Sequence, residues 1–519
     1  MKKLFTLIAA MCCAVASFAT DYTDSLEIYI NGATTPVTTP ATISVNSSAD
    51  GTLSFTLKNF KLLMAGQTMN VGNVFVDSVP VRDGGNGRQV FYKKVSTQIQ
   101  NGDEAGVTWV GPMLQTVTVD LAGYTMGNRA YCYMNIDVPA TAMTIVCKFG
   151  SGFQFLNPGF EDYHTATISM GGNSATSDEP NHWHSFMSAS GSPALAYLAG
   201  YNPHTFISNE VAPGSTGSHS LMITSLDMWI AIANGTVTTG RINTGSYSAA
   251  DLSNHAWLDL DSTGVDDNGD PFYQYMNGRP DSLSVWVKFT QSKPNASHPY
   301  ATVSAVITDG TYYQEPTDKT YSNILAEARN NKIETKGGVW QHLTFPFDYK
   351  DNSINGKAIL CTISTNADPG QGSTDTIWVD DISLIYNNTV KSVTLNGTTK
   401  AISDTADANV TFEVNGDLVN LSDVQIEAAP HSIVFPVAQT VTDGGEVLTY
   451  RVFADDLSSS IPVTVTVTCV SNGIEDVNTV SKTGAEALYN LNGQRITTPR
   501  HGQVYVVKKA NGTTKKVLK

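Results

Sequence analysis

Leu283-Ser284-Val285-Trp286-Val287-Lys288-Phe289 is the stretch that decides the fold class. Leu283, Val285, Val287 and Phe289 alternate with Ser284, Trp286 and Lys288. A period of two places the first set on one face of a strand and the second on the other. Trp286 is thereby a candidate aromatic platform on the solvent side, with burial beneath a loop as the plainer alternative. The pattern repeats outward from there. Thr52 to Phe60 carries Leu53, Phe55 and Leu57 on one side, and Ile461 to Cys469 alternates in the same way. Short runs rich in Thr, Val, Ile, Tyr and Phe are punctuated by Gly, Asn, Asp and Pro along the chain. Strands buried on one side form antiparallel sheets, so the spacing predicts an all-β protein of barrels or sandwiches. Tyr321 to Asn330 (YSNILAEARN) is the stretch that reads as a helical turn.

The chain has 519 residues, of which 41% are hydrophobic and 15% charged. At roughly 100–200 residues per domain it holds three or four domains. The low charged share excludes a disordered acidic chain and a coiled coil. A formal charge of −16 disfavours phosphate binding, which wants a basic face, so no nucleic-acid partner is expected.

Lys2 and Lys3 precede an apolar run from Leu4 to Phe18, and Ser17-Phe18-Ala19 fits a small-x-small cleavage site. Residues 1–19 read as a signal peptide, a buried helix being the alternative. Met11 before Cys12 is not the small residue of a lipoprotein signal. No later stretch reaches the roughly 18 apolar residues of a membrane span. The expectation is an exported protein, secreted or on the outer cell surface, with no membrane span in the mature chain.

Pattern breaks place the boundaries. A first unit covers 20–150, a second 153–387, a small Ig-like β-sandwich 388–470, and a linker with a short β tail 471–519. Arg495, Arg500, Lys508, Lys509, Lys515, Lys516 and Lys519 make that tail basic, with no acid after Glu486.

Of the six cysteines, Cys132, Cys147, Cys361 and Cys469 follow the leader. The strands flanking Val138-Pro-Ala-Thr141 are expected to pair so that Cys132 faces Cys147, Met134 faces Ile145 and Ile136 faces Met143. All six share an apolar face. The pair is then a cross-strand disulfide or two buried thiols. No CxxC and no Cys/His spacing of the zinc type occurs, so no zinc site is expected, and calcium is the one cofactor in view.

The nucleophile elbow GxSxG, HExxH, the phosphate loop GxxxxGK[ST] and a dinucleotide GxGxxG between strand and helix are missing. Six of the seven tryptophans lie in the second unit: Trp183, Trp229, Trp257, Trp286, Trp340 and Trp378. Flat aromatic rings suit the apolar faces of sugars and lose little rotamer entropy. Asp266-Asp-Asn-Gly-Asp270 is similar to part of a calcium loop without its closing glutamate, or is a plain Asp/Asn/Gly turn. His182 and His184 flank Trp183 and would point the same way on a strand, with no third metal ligand placed.

Several motifs carry resemblances. Asn157-Pro-Gly-Phe-Glu161, Pro180-Asn-His-Trp183, Gly240-Arg-Ile-Asn-Thr-Gly245, Arg279-Pro-Asp-Ser-Leu283, Trp340 to Tyr349 and Ile377-Trp-Val-Asp-Asp-Ile-Ser-Leu384 occur in that order. Over about 230 residues this resembles the Bacteroidetes carbohydrate-metabolism domain, a jelly roll related to galactose-binding-like modules. Related modules hold a structural calcium between an early acid and acids of the last strand, here Glu161 with Asp380 or Asp381. Alternation would put Asp381 inward with Ile377 and Val379. A salt bridge or solvated strand end is the alternative.

Leu57-Lys-Asn-Phe60, Val71-Gly-Asn-Val74 and Trp109-Val-Gly-Pro-Met-Leu114 resemble a calycin-like β-barrel domain. Tyr489-Asn-Leu-Asn-Gly-Gln-Arg495, Gly502-Gln-Val-Tyr-Val-Val507 and Lys515-Lys-Val-Leu-Lys519 are similar to a type IX secretion sorting tail, which implies the secretion machinery as a partner. An ordinary C-terminal hairpin is the alternative.

The combined expectation is a carbohydrate-binding or glycan-utilisation protein that is non-catalytic by default, with Trp183, Trp286 and Arg279 near a glycan site. Two rivals remain at this point. One is a glycoside hydrolase using paired carboxylates in 153–387. The other is a structural or adhesive surface protein.

Overall fold

The structure, a computed structural model, describes residues 19–33, 35–64, 66–85, 87–228, 232–262, 264–371, 373–403, 408–415, 419–442, 445–470, 487–500, 502–509 and 512–518. The leader up to residue 18, Trp229, Lys519 and most of the linker (471–486) lie outside the described residues, as does the side chain of Cys469. More than half of the described residues are strand, with Pro193–Tyr201 as the α-helix among them and turns and irregular loops making up most of the rest. None of their helices is long and apolar enough to cross a membrane.

Eight strands from Thr20–Ile30 to Met143–Phe149 form a closed barrel in sequence order. Closure comes from the first strand meeting the last, Ile28 opposite Cys147. The interior is filled by the alternating apolar set, including Leu53, Phe55 and Leu57, all nearly or fully buried. The strand pair around Val138 adopts a different register from the expected one. Cys132 pairs with Phe149, and Met134 pairs with Cys147. A four-residue turn, with Pro139–Thr141 in a 3-10 turn and Ala142 at φ 52°, sets Val138 opposite Met143. A shift of two residues preserves which face is buried, so apolar alternation alone cannot detect it. Cys132 and Cys147 are buried free thiols, and the facing disulfide is not formed.

The second region is a two-sheet sandwich. One sheet runs Thr205–Ser208, Ser220–Thr224, Asp375–Ile385, Ser282–Gln291, Gln341–Pro346. The other contains, in order, Thr236–Thr238, Ala358–Ser364, Ala301–Thr308, Ile324–Ile333 and Asp348–Tyr349. Leu283, Val285, Val287 and Phe289 meet Val303, Ala305, Ile359 and Cys361 in the shared core. The expected helical turn at Tyr321 to Asn330 is instead mostly strand Ile324–Ile333. Leu, Ala, Glu and Arg favour helices weakly. Pairing with Ala301–Thr308 on one side and Asp348–Tyr349 on the other overrides that preference. Ala326 and Ala328 enter the core while Glu327 and Arg329 face outward, which is period two.

The strand Asp375–Ile385 contains a bulge. Ser284 pairs with Ser383 and Trp286 with Asp380, so Asp381 and Ile382 together oppose Val285. Asp381 takes φ 46°, and Ile382 rather than Asp381 fills the core position. The inward Asp381 expected from unbroken alternation is thereby corrected: a bulge re-aims the residues beyond it.

Within the same compact unit a third region contributes a three-stranded sheet, Thr398–Ala401, Val390–Leu395, Val424–Ala428. Asp455 of this region forms a buried ion pair with Arg88 of the barrel. It also accepts from the backbone N–H of Arg279 (2.6 Å). Tyr92 of the barrel contacts Phe435 and Phe453, and Tyr131 contacts Phe153 at 4.0 Å between ring centroids. In the second compact unit, Arg495–Ile496, Ala487–Tyr489, Val504–Lys508 and Thr514–Leu518 form a small antiparallel sheet. Tyr489 pairs with Arg495, which makes 490–494 its turn.

Candidate functional site

A cleft of about 560 Å3 opens on the outer face of the second sandwich sheet. Its floor follows from alternation. Val303, Ala305, Cys361 and Ile363 face the core, so Thr302, Ser304, Thr362 and Ser364 face out. Cross-strand pairing sets Thr302 beside Ser364 and Ser304 beside Thr362, which gathers four hydroxyls. Arg329, opposite Ser304, adds a guanidinium to this floor. It donates two hydrogen bonds to Glu315 (2.7 and 2.9 Å). Glu315 is the carboxylate among the described lining residues, and it is committed to this pair.

The walls are apolar and aromatic. Phe186, Leu195 and Leu198 close one side, and Tyr247, 65% exposed, stands on the loop after Arg241–Thr244. Asn254 fixes that loop. Its side chain accepts from the N–H groups of Gly245 (2.9 Å) and Ser246 (3.0 Å) and donates to the carbonyls of Ser246 and Ser248. On the adjoining sheet Trp257 stacks on Tyr312 at 5.8 Å and 28°. The Tyr312 hydroxyl donates to Gln314 Oε1 (2.8 Å) and lies 3.2 Å from Nε2 of His255, itself a cleft residue.

The three residues expected near a glycan do not come together. Trp183 is fully buried between Phe155 and Phe160 and donates its Nε1–H to the Leu156 carbonyl (3.0 Å). Its long apolar ring serves the core. Arg279 is 9% exposed, and its guanidinium donates to the Asn352 and Ile354 carbonyls at the domain junction. Trp286 does lie on the outer face of its strand, half-buried, with His342 stacked on it at 4.7 Å and 12°. The cleft residues were missed because hydroxyls and a Tyr-bearing loop carry no motif. The signal available was the Ser/Thr set alternating with apolar residues in 301–308 and 358–364.

Glu161, Asp380 and Asp381 do converge. A Cβ on Gly159 would lie 3.4 Å from Asp381 Oδ1, 3.9 Å from Asp380 Oδ1 and 3.9 Å from Glu161 Cγ. Glu161 accepts from the N–H groups of Ser218 and His219 (each at 2.9 Å). A Cβ at Gly217 would fall 2.1 Å from Glu161 Oε1, so this close approach needs glycine. Asp380 is fully buried and accepts from Ala212 N–H (2.8 Å). Burial, with Asp381 and Glu161 nearby, pushes its carboxyl up to about 6. Among the described residues none of these acids carries an ion pair, and their carboxylate oxygens do not form a set lying within 4.8 Å of one another.

His182 and His184 reach the same acidic loop. His182 Nδ1 lies 2.9 Å from Asp270 Oδ1, and His184 Nδ1 lies 3.4 Å from Asp266 Oδ2. Asp266 Oδ1 accepts from Asn268 and Asp270 N–H, so 266–270 is an Asx-type turn.

Residues 18–151 match the calycin-like beta-barrel domain family. No curated protein matches the sequence. Among solved structures, a proposed outer membrane protein from Bacteroides fragilis NCTC 9343 aligns at 10% identity and a TM-score of 0.18. That alignment covers 66% of this chain and 96% of the other. The M60 catalytic domain with two CBM51 domains of Clostridium perfringens ZmpB aligns at 10% identity and a TM-score of 0.14, over 90% of this chain and 45% of the other. TM-scores this low establish no shared arrangement.

Proposed function

We propose that the chain is an exported, non-catalytic carbohydrate-binding protein whose glycan site is the cleft on the second sandwich. The observation that carries this reading is the cleft's composition: the hydroxyls of Thr302, Ser304, Thr362 and Ser364 line the same cleft as the exposed ring of Tyr247. A sugar offers hydroxyls to one and apolar C–H faces to the other. Hydrolysis would call for two facing carboxylates, and the lining supplies Glu315 already held by Arg329. In this reading Glu161, Asp380 and Asp381 take a structural calcium. Domains divide near 150 and 387, and the basic tail addresses the chain to secretion machinery at the outer surface. A glycan array probed with the full chain, in calcium and in chelator, tests it. Binding to one sugar class that fails on Tyr247→Ala supports the proposal. Silence across plant, host and microbial glycans, with the chain shown folded, overturns it in favour of a structural role.

A further inference from the structure

Four buried side-chain atoms without a hydrogen-bond partner gather where the hairpin Tyr163–Met170/Asn173–Pro180 meets the turn 266–270: His164 Nε2, Glu179 Oε2, His184 Nδ1 and Asp266 Oδ2. His164 Nε2 lies 3.9 Å from both Glu179 Oε2 and Asp266 Oδ2. His184 Nδ1 lies 3.4 Å from Asp266 Oδ2. Glu179, His184 and the Asp266 side chain are fully buried. Leaving such groups unpaired in a protein interior costs several kcal/mol in general.

Their other atoms are all engaged. His164 Nδ1 sits 3.0 Å from Asn181 Oδ1, and His184 Nε2 sits 3.2 Å from the Pro271 carbonyl. Each imidazole thus spends its N–H on an oxygen acceptor and turns a lone pair toward the carboxylates. Glu179 Oε1 accepts from Ser185 N–H and from the Ser188 hydroxyl, and Asp266 Oδ1 is taken by its own turn. Lone pairs of two neutral imidazoles face two carboxylate oxygens, which repel unless the rings take a second proton or a metal cation lies between them. The orientation of each histidine by an outer oxygen is the usual support of a metal ligand.

We propose that His164, Glu179 and Asp266, whose donor atoms lie within 4.8 Å of one another, hold one divalent first-row transition metal of the zinc class, with His184 beside Asp266 as its neighbour. Imidazole with carboxylate favours such ions over calcium, which takes oxygens. At metal–ligand lengths of about 2.1 Å, tetrahedral ligands stand roughly 3.4 Å apart. Contraction by a few tenths of an ångström brings the observed 3.9 Å pairs to that spacing. Glu179 and the Asp266 side chain are fully buried and the His164 side chain is 13% exposed, so the site is close to closed, as structural sites are. It ties the hairpin to the turn 266–270. Through Glu179 it also supports Ser185–Ser188, which leads into the cleft wall at Phe186 and the helix Pro193–Tyr201. The site stands independently of the glycan reading.

Metal analysis of the purified full chain tests this, followed by stripping and reloading with zinc, manganese, iron(II) or calcium alone. The expected result is about one zinc-class equivalent per chain, lost in His164→Gln and Glu179→Gln and retained in Glu161→Gln. Asn181→Ala should weaken uptake by about 10–100-fold while keeping the donor set. Folded wild-type chain that takes up no transition metal, takes up calcium alone, or binds equally well as His164→Gln overturns the proposal. The wild-type measurement decides even if a variant fails to fold.

Discussion

Asp380 shows how a single side chain couples the fold to solution conditions. Its carboxyl ordinarily ionises near 3.8 and is pushed up to about 6 by burial in the folded chain. A raised folded-state value means that ionisation opposes folding. The stability this group contributes is whole below about pH 4 and is lost as the pH rises through 6, by at most about 3 kcal/mol. In chelator, chemical unfolding followed from pH 4 to 8 should show this decline in the wild type and a flatter profile in Asp380→Asn. Excess calcium should flatten the wild-type profile too. An identical slope in both chains would refute the assignment. The acid pair Glu161 and Asp380 was legible through the family resemblance, whereas the direction of Asp381 was not, because one bulge residue reverses every face beyond it. Trp183 and Arg279 were misplaced for a related reason. A large aromatic or a cation reads the same in sequence whether its polar atom meets a ligand or, as here, a backbone carbonyl. The four-atom cluster at His164 was only half visible: the His182/His184 pair and the 266–270 acids stood out separately, about 80 residues apart in the sequence.

At the level of elements, alternation was a reliable guide to strands and a poor one to register. Leu53–Leu57 and Leu283–Phe289 fill the cores as their period demands. The pairing of Cys132 with Phe149 depended on the length and αL end of a turn that periodicity does not encode. In Ile324–Ile333 helix-forming residues were held as a strand by partners on both edges. The helix Pro193–Tyr201 had a start signal in Ser192-Pro193, since proline suits the first helical position. Burial in the strand makes a sharp prediction. Leu325→Ala should cost about 2–5 kcal/mol in denaturant unfolding. The exposed Lys332→Ala on the same strand should change stability by no more than about 0.5 kcal/mol.

Across the larger compact unit, the barrel, the sandwich and the third region meet on a buried charge. Arg88 and Asp455 pair with side chains 7% and 3% exposed, beside Tyr124, Tyr131 and Phe153. Removing one partner strands the other, so Asp455→Ala should cost about 3–5 kcal/mol and separate the unfolding of the barrel from that of the sandwich. A single unshifted calorimetric transition would contradict this. None of this junction was readable from sequence, because residues 88, 279 and 455 carry no local sign of their meeting. The calycin-like barrel, by contrast, was visible in strand patterning and in its motifs, and the family match covers residues 18–151. The proposal that the hydroxyl-floored cleft holds the glycan makes a quantitative demand on binding. Its most direct test is calorimetric titration of the full chain with the sugar class found on the array, comparing wild type with Tyr247→Ala, Arg329→Gln and Trp286→Ala. A cleft-bound glycan should lose at least about tenfold, or about 1.4 kcal/mol, in each of the first two and keep its affinity in the third. Full affinity in both cleft variants with loss in Trp286→Ala would contradict it and move the site to the opposite sheet.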